Sequence, residues 1–78
     1  MNNLEKYNKV FIDTLQIEEG ELKGLIYQGT DLWDSVGHMT LMAELEDAFD
    51  IMMETDDIVD FSSYEIGKEI LKKYDVEI

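Results

Sequence analysis

Ser35 is the residue of this sequence best placed for covalent chemistry. It follows Asp34 and stands where a loop becomes an amphipathic helix, so its hydroxyl meets solvent at a helix N-terminus. That end of a helix carries unpaired backbone N–H groups and partial positive charge, which stabilise an anion such as a phosphate ester. The sequence therefore favours a serine that another enzyme modifies.

The surroundings of Ser35 are poor for catalysis by the chain itself. A serine nucleophile needs a neighbouring base, an orienting acid and an oxyanion hole. The chain has one histidine, His38, and no glycine-flanked nucleophile elbow. His38 falls beside the core face of its helix, so we expect it to be half-buried and out of reach of the Ser35 hydroxyl. We expect no catalytic residue, no metal site and no enzyme activity, and a small hydrolase is the least supported alternative.

The composition predicts a single all-α domain that spans residues 1–78. The sequence contains no proline and no cysteine and is 45% hydrophobic, so it is suited to helices and to a folded core, and it has no disulfides or thiolate metal sites. No apolar run approaches membrane-spanning length, and the first residues lack a signal-peptide core. We therefore expect a cytoplasmic monomer that does not insert into membranes.

The charge of the chain is strongly one-sided. Nineteen acidic residues face six lysines, the net charge is −13, and residues 24–67 hold eleven of the acids with neither lysine nor arginine. Such a surface repels nucleic acid and anionic membranes and attracts basic partners. A charge run is often only a solubility coat. Because these acids surround the helix that begins at Ser35, they favour a docking surface.

Helical periodicity predicts a small bundle of three main helices and one short helix. The first helix covers Asn3–Leu15, and the second runs from Ser35 to Asp50. A short helix capped by Thr55 ends near Asp60, and a last helix over residues 63–74 begins with a capping box in residues 62–65 and turns Ile66, Ile70 and Leu71 inward.

The connection of residues 16–34 is predicted to be a long ordered loop. It contains three glycines and no sustained period, and we expect Leu22, Leu25, Ile26, Leu32 and Trp33 to anchor it to the core. Loops of this length in a compact domain are usually functional. This loop delivers the chain to Ser35.

The second helix is predicted to have two apolar faces. Its core face consists of Leu41, Met42, Leu45, Ala48 and Phe49. Val36, Met39 and Ala43 form a smaller second stripe, bordered by Glu46, Asp47 and Asp50. Because a helix needs only one buried face, the second stripe is a candidate partner site, with incidental surface apolarity as the alternative.

Two segments at matched spacing resemble the acyl carrier protein family. Residues 34–36, Asp-Ser-Val, are close to the family's Asp-Ser-Leu, and residues 45–53, Leu-Glu-Asp-Ala-Phe-Asp-Ile-Met-Met, are similar to its Leu-Glu-x-x-Phe-x-Ile-x-Ile continuation. The order and lengths of the predicted helices agree with the family across nearly the whole chain. Residues 33–38 resemble the small free-standing carriers associated with surface polysaccharides, lipid modification or aminoacyl transfer more than the main fatty-acid carrier.

The resemblance implies a cofactor and a set of partner enzymes. Ser35 would receive 4′-phosphopantetheine from coenzyme A through a magnesium-dependent phosphopantetheinyl transferase, and the arm's thiol would hold an acyl or aminoacyl thioester. Partners would be that transferase, an acyl- or aminoacyl-activating ligase, and an acyltransferase or synthase with basic docking patches. The docking residues implied are Asp34, Val36, Met39, Ala43, Glu46, Asp47 and Asp50.

Two alternatives from other classes remain open at this point. An acidic helical protein that binds divalent cations could use Asp56, Asp57 and Asp60, although no segment has the ligand pattern of an EF-hand loop. An acidic mimic of nucleic acid would need carboxylates spaced like phosphates over an extended surface.

Overall fold

The computed structural model describes residues 2–78, which form a small all-α bundle. Its helices are α1 (Asn3–Leu15), α2 (Ser35–Phe49), α3 (Thr55–Asp60) and α4 (Tyr64–Lys72), and a single 3-10 turn, Glu19–Glu21, interrupts the connection between α1 and α2. Three main helices, one short helix and a long first connection are therefore confirmed. No helix within the described residues is long and apolar enough to cross a membrane.

The ends of α1 and α2 follow signals in the local sequence. Asn2 begins α1 with a capping box, in which its side chain accepts the Glu5 N–H and the Glu5 carboxylate accepts the Asn2 N–H. Asp34 begins α2, where its Oδ1 accepts the Gly37 N–H at 2.8 Å. Asp50 ends α2, as the sequence predicted, and it adopts a left-handed conformation.

The starts of α3 and α4 differ from the prediction. Thr55 is the first residue of α3 rather than its cap, and Glu54 holds the cap position without a side-chain hydrogen bond. Ser63, not Ser62, caps α4 by accepting the Ile66 N–H at 3.0 Å. The predicted capping box is therefore wrong. A capping box needs the acidic residue three positions after the cap, whereas Glu65 is only two positions after Ser63. The helix also ends at Lys72, earlier than predicted.

Backbone pairing between the first connection and α4 explains this shift in the cap. The Ser62 carbonyl accepts the Tyr27 N–H at 2.9 Å, and the Leu25 carbonyl accepts the Tyr64 N–H at 2.9 Å. These two bonds form an antiparallel bridge between Ile26 and Ser63. Ser63 is extended at this bridge, so it becomes the cap and the helix begins at Tyr64.

Aromatic rings fill the centre of the core. Phe11 contacts four other rings at centroid distances of 4.9 to 6.2 Å: Tyr7, Trp33, Phe61 and Tyr64. The aliphatic layer around them includes the predicted core residues Leu41, Met42, Leu45, Ile70 and Leu71, all buried, while Phe49 packs on the core from its edge.

Several apolar residues predicted to be inside lie at the surface. Leu22, Leu25 and Trp33 are buried as expected, but Ile26 and Leu32 are exposed. Successive residues of an extended segment point to opposite sides, so burial of Leu25 in the bridged segment turns Ile26 outward. Ile66 is 44% exposed, because Gly67 takes the inward position of α4 and the Phe61 ring and Tyr7 hydroxyl lie directly against it.

Candidate functional site around Ser35

Ser35 is the first residue of α2, and its side chain is exposed. Its Oγ lies 3.3 Å from the Tyr27 hydroxyl, and either oxygen can be the donor. Within residues 2–78, the backbone N–H groups of Ser35 and Val36 donate to no protein acceptor. The site therefore offers two hydroxyls and two free N–H groups at the positive end of a helix dipole.

A close backbone contact at Gly37 fixes the approach of the chain to Ser35. A Cβ atom at position 37 would lie 1.7 Å from the Leu32 carbonyl oxygen and 3.4 Å from Asp34 Oδ1. Only glycine therefore lets the first connection fold this tightly against the first turn of α2. The sequence alone did not reveal that Gly37 helps to position Asp34 and Ser35.

His38 joins three parts of the chain behind the serine. The Trp33 Nε1–H donates to His38 Nδ1 at 2.9 Å, and His38 Nε2 lies 2.8 Å from the Ile58 carbonyl oxygen. Because an indole nitrogen can only donate, Nδ1 is the acceptor and Nε2 carries the proton that is donated to Ile58. Both ring nitrogens are thus used, and His38 is half-buried as expected and makes no hydrogen bond to Ser35.

A cavity of about 370 Å³ lies between α2 and α3, with Ser35 among its lining residues. Its wall is mainly apolar and is formed by Tyr27, His38, Met39, Ile58, Val59, Phe61 and Ser62. This volume is near the lower end of the roughly 300–1,000 Å³ typical of small-molecule sites. A group attached to Ser35 would find an apolar surface directly beside its attachment point.

The residues predicted to dock partners are mostly exposed. Val36 is 77% and Met39 is 56% exposed, and Asp34, Ala43, Asp47 and Asp50 are also at the surface. Val59 of α3, which is 73% exposed and lines the same cavity as Met39, extends this apolar surface. Val59 was not predicted from the sequence, because α3 is too short for the spacing of its apolar residues to define a face.

Glu46 differs from the other predicted docking residues. It is half-buried, and its carboxylate accepts the Met53 N–H at 2.8 Å. Glu46 therefore holds the segment that follows α2 in place, with one of its oxygens already bonded. The nearest exposed acid along the same helix, Asp47, has no such internal bond.

A polar network fixes α3 against the end of α4. Asp57 is buried, and it accepts hydrogen bonds from Lys73 Nζ at 2.8 Å and from the Tyr74 hydroxyl at 2.5 Å. The Tyr74 oxygen in turn accepts the Glu54 N–H at 2.9 Å. The hydrogen bond from Lys73, followed by that from Tyr74, lowers the pKa of Asp57. This network holds one wall of the cavity beside Ser35.

The same network bears on the divalent-cation alternative. Both carboxylate oxygens of Asp57 are bonded to protein donors, so this residue is not free to bind a cation. In the described part of the chain, no group of three or more histidine, aspartate or glutamate side chains is arranged to hold a metal ion. The geometry therefore gives that alternative no support.

No protein-family model matches the chain, and no curated protein or solved structure matches it.

Proposed function

We propose that this protein is an acyl carrier protein and that Ser35 carries 4′-phosphopantetheine. The observation that carries the proposal is the exposed Ser35 hydroxyl at the N-terminus of α2, beside an apolar cavity between α2 and α3. The residues around it fit the group. The free N–H groups of Ser35 and Val36 and the Tyr27 hydroxyl are donors suited to a phosphodiester, and the cavity suits apolar cargo.

The chain contributes an attachment point and a recognition surface, and another enzyme performs the attachment. Ser35 Oγ attacks the phosphorus of coenzyme A that bears the pantetheine group, the P–O bond to adenosine 3′,5′-bisphosphate breaks, and the serine proton passes to a base of the transferase. When bound, the cofactor supplies the thiol that a chain without cysteine lacks. The cargo is an acyl or aminoacyl group.

The charge pattern supports protein partners with basic surfaces. Residues 24–67 carry no lysine or arginine, and the exposed Val36 and Met39 side chains lie among acids such as Asp34 and Asp47. Such a surface would bring the transferase, an activating ligase and an acyltransferase or synthase to Ser35, because opposite charges raise association rates. We propose that the carrier acts as a cytoplasmic monomer and has no enzyme activity of its own.

Intact-mass measurement tests the proposal. The protein is incubated with coenzyme A, magnesium and a broad-specificity phosphopantetheinyl transferase. The wild type should gain the mass of one phosphopantetheinyl group, and Ser35→Ala should gain none. Ser62→Ala is the matched control, because Ser62 is exposed and lines the same cavity, and this variant should load like the wild type.

Two outcomes would contradict the carrier proposal. Either the wild type gains no mass, or Ser35→Ala gains as much mass as the wild type. Tight one-to-one binding of calcium by the unmodified protein would instead favour the divalent-cation alternative.

A further inference from the structure

A second hydroxyl lies beside the proposed attachment point. The Tyr27 hydroxyl is 3.3 Å from Ser35 Oγ, and Tyr27 is the one side chain within residues 2–78 that hydrogen-bonds this serine. We infer that Tyr27 is a positioning residue, whose hydroxyl donates a hydrogen bond to the phosphodiester formed at Ser35 and orients the first bonds of the arm. This inference rests on the proposed function.

The Tyr27 hydroxyl has a fixed position because both the backbone and the ring of the residue are held. The Tyr27 N–H donates to the Ser62 carbonyl at 2.9 Å. The ring packs edge-on against Trp33 at a centroid distance of 6.1 Å and against His38 at 5.4 Å. Since Trp33 and His38 are hydrogen-bonded to each other, the phenol is oriented before any ligand binds.

Esterification of the serine would fix the direction of this hydrogen bond. In the unmodified protein either hydroxyl can donate to the other. After modification the Ser35 oxygen carries no proton and can only accept, while the phosphodiester adds oxygens that bear negative charge. The Tyr27 hydroxyl then becomes the donor, and a bond to a charged acceptor is stronger than one between two neutral groups.

The composition of the site makes an uncharged donor important. No lysine or arginine occurs in residues 24–67, so the local sequence around Ser35 supplies no cation to the phosphodiester. Asp34, the adjacent residue, is a carboxylate whose Oδ1 already accepts the Gly37 N–H. The donors that remain beside Ser35 are the Tyr27 hydroxyl and the free N–H groups at the start of α2.

Phosphorus NMR of the loaded protein tests the role of Tyr27 directly. Tyr27→Phe removes the hydroxyl and keeps the ring that packs on Trp33 and His38. We expect the ³¹P resonance of this variant to shift and narrow relative to the wild type, because the phosphodiester loses a donor and gains freedom. Tyr64→Phe is the control: it removes a phenol that donates to Asn8, and we expect it to leave the resonance nearly unchanged.

A measurement on the wild type makes the test independent of any variant. The ring protons next to the Tyr27 hydroxyl should give a nuclear Overhauser effect to the phosphorus. A missing effect, or a ³¹P shift in Tyr27→Phe no larger than that in the control, would overturn the inference while leaving the loading of Ser35 intact. Failure of the wild-type chain to load would overturn the proposed function as well, so the two failures are distinguishable.

Discussion

Replacing Gly37 with alanine should destabilise the protein, although the same change usually stabilises a helix. The added Cβ would lie 1.7 Å from the Leu32 carbonyl oxygen and 2.9 Å from the Leu32 carbonyl carbon. Both obstructing atoms belong to the backbone, so no change of side-chain rotamer can remove the overlap. Either the connection before α2 or the first turn of α2 must move.

The size of the effect follows from two opposing contributions. Alanine gains up to about 1 kcal/mol over glycine in a helix interior, whereas an extra carbon in a tightly packed site typically costs about 1–3 kcal/mol. Because the contact is with backbone, we take the upper part of that range and expect a net loss of about 2 kcal/mol. For a domain of this size that corresponds to a fall in Tm of roughly 8–16 °C.

Thermal unfolding followed by circular dichroism measures this loss. Gly20→Ala is the matched control, because a Cβ there would meet no atom within 4 Å and its φ is not in the left-handed region. Its Tm should stay within a few degrees of the wild type, since such a change is neutral or stabilises by about 0.4–1 kcal/mol. If Gly37→Ala is as stable as Gly20→Ala, the steric argument is wrong.

Two further substitutions test the contacts that hold the cavity walls. His38→Leu leaves the indole N–H of the fully buried Trp33 without its acceptor, so urea denaturation should reveal a loss of about 1–3 kcal/mol; unchanged stability would contradict this role. Asp57→Asn tests a pH dependence, because hydrogen bonds from Lys73 and Tyr74 lower the pKa of Asp57 below its ordinary 3.8. A carboxylate with a lowered pKa stabilises the fold above its ordinary pKa and loses that effect as the pH falls through the folded-state value, so the Tm difference between wild type and Asp57→Asn should be constant near neutrality and shrink below about pH 4. A difference that stays unchanged down to about pH 2 would refute the assignment.

The parts of the fold predicted correctly are those that depend on short-range sequence. The regular spacing of apolar residues in α1 correctly predicted where that helix begins and ends, and Asp34 as a cap before Ser35 correctly predicted the start of α2. The start of α4 was misplaced because its cap depends on pairing with Leu25 and Tyr27, which lie far away in the sequence. The capping pattern in residues 62–65 cannot reveal that its second residue, Ser63, is held extended by pairing with another segment.

The candidate site divides in the same way. Ser35 was proposed as the site from its neighbours along the chain, and the structure shows that it is exposed. The contact with Tyr27, the bond from His38 to the Ile58 carbonyl and the close approach of Leu32 to Gly37 all arise where the first connection folds back. The apolar residues of that connection do not recur at a regular spacing. The sequence therefore does not indicate which of its residues face the rest of the fold, and such contacts cannot be inferred from it.

Because of the bridge between Ile26 and Ser63, the first connection is a fixed part of the surface and not a mobile lid. Two backbone hydrogen bonds attach it to the start of α4, and the buried Trp33 ring anchors its end. If the protein is the proposed carrier, a partner enzyme would therefore meet a preformed surface around Ser35. Little conformational entropy would be lost on contact, so even a small, short-lived interface could be selective.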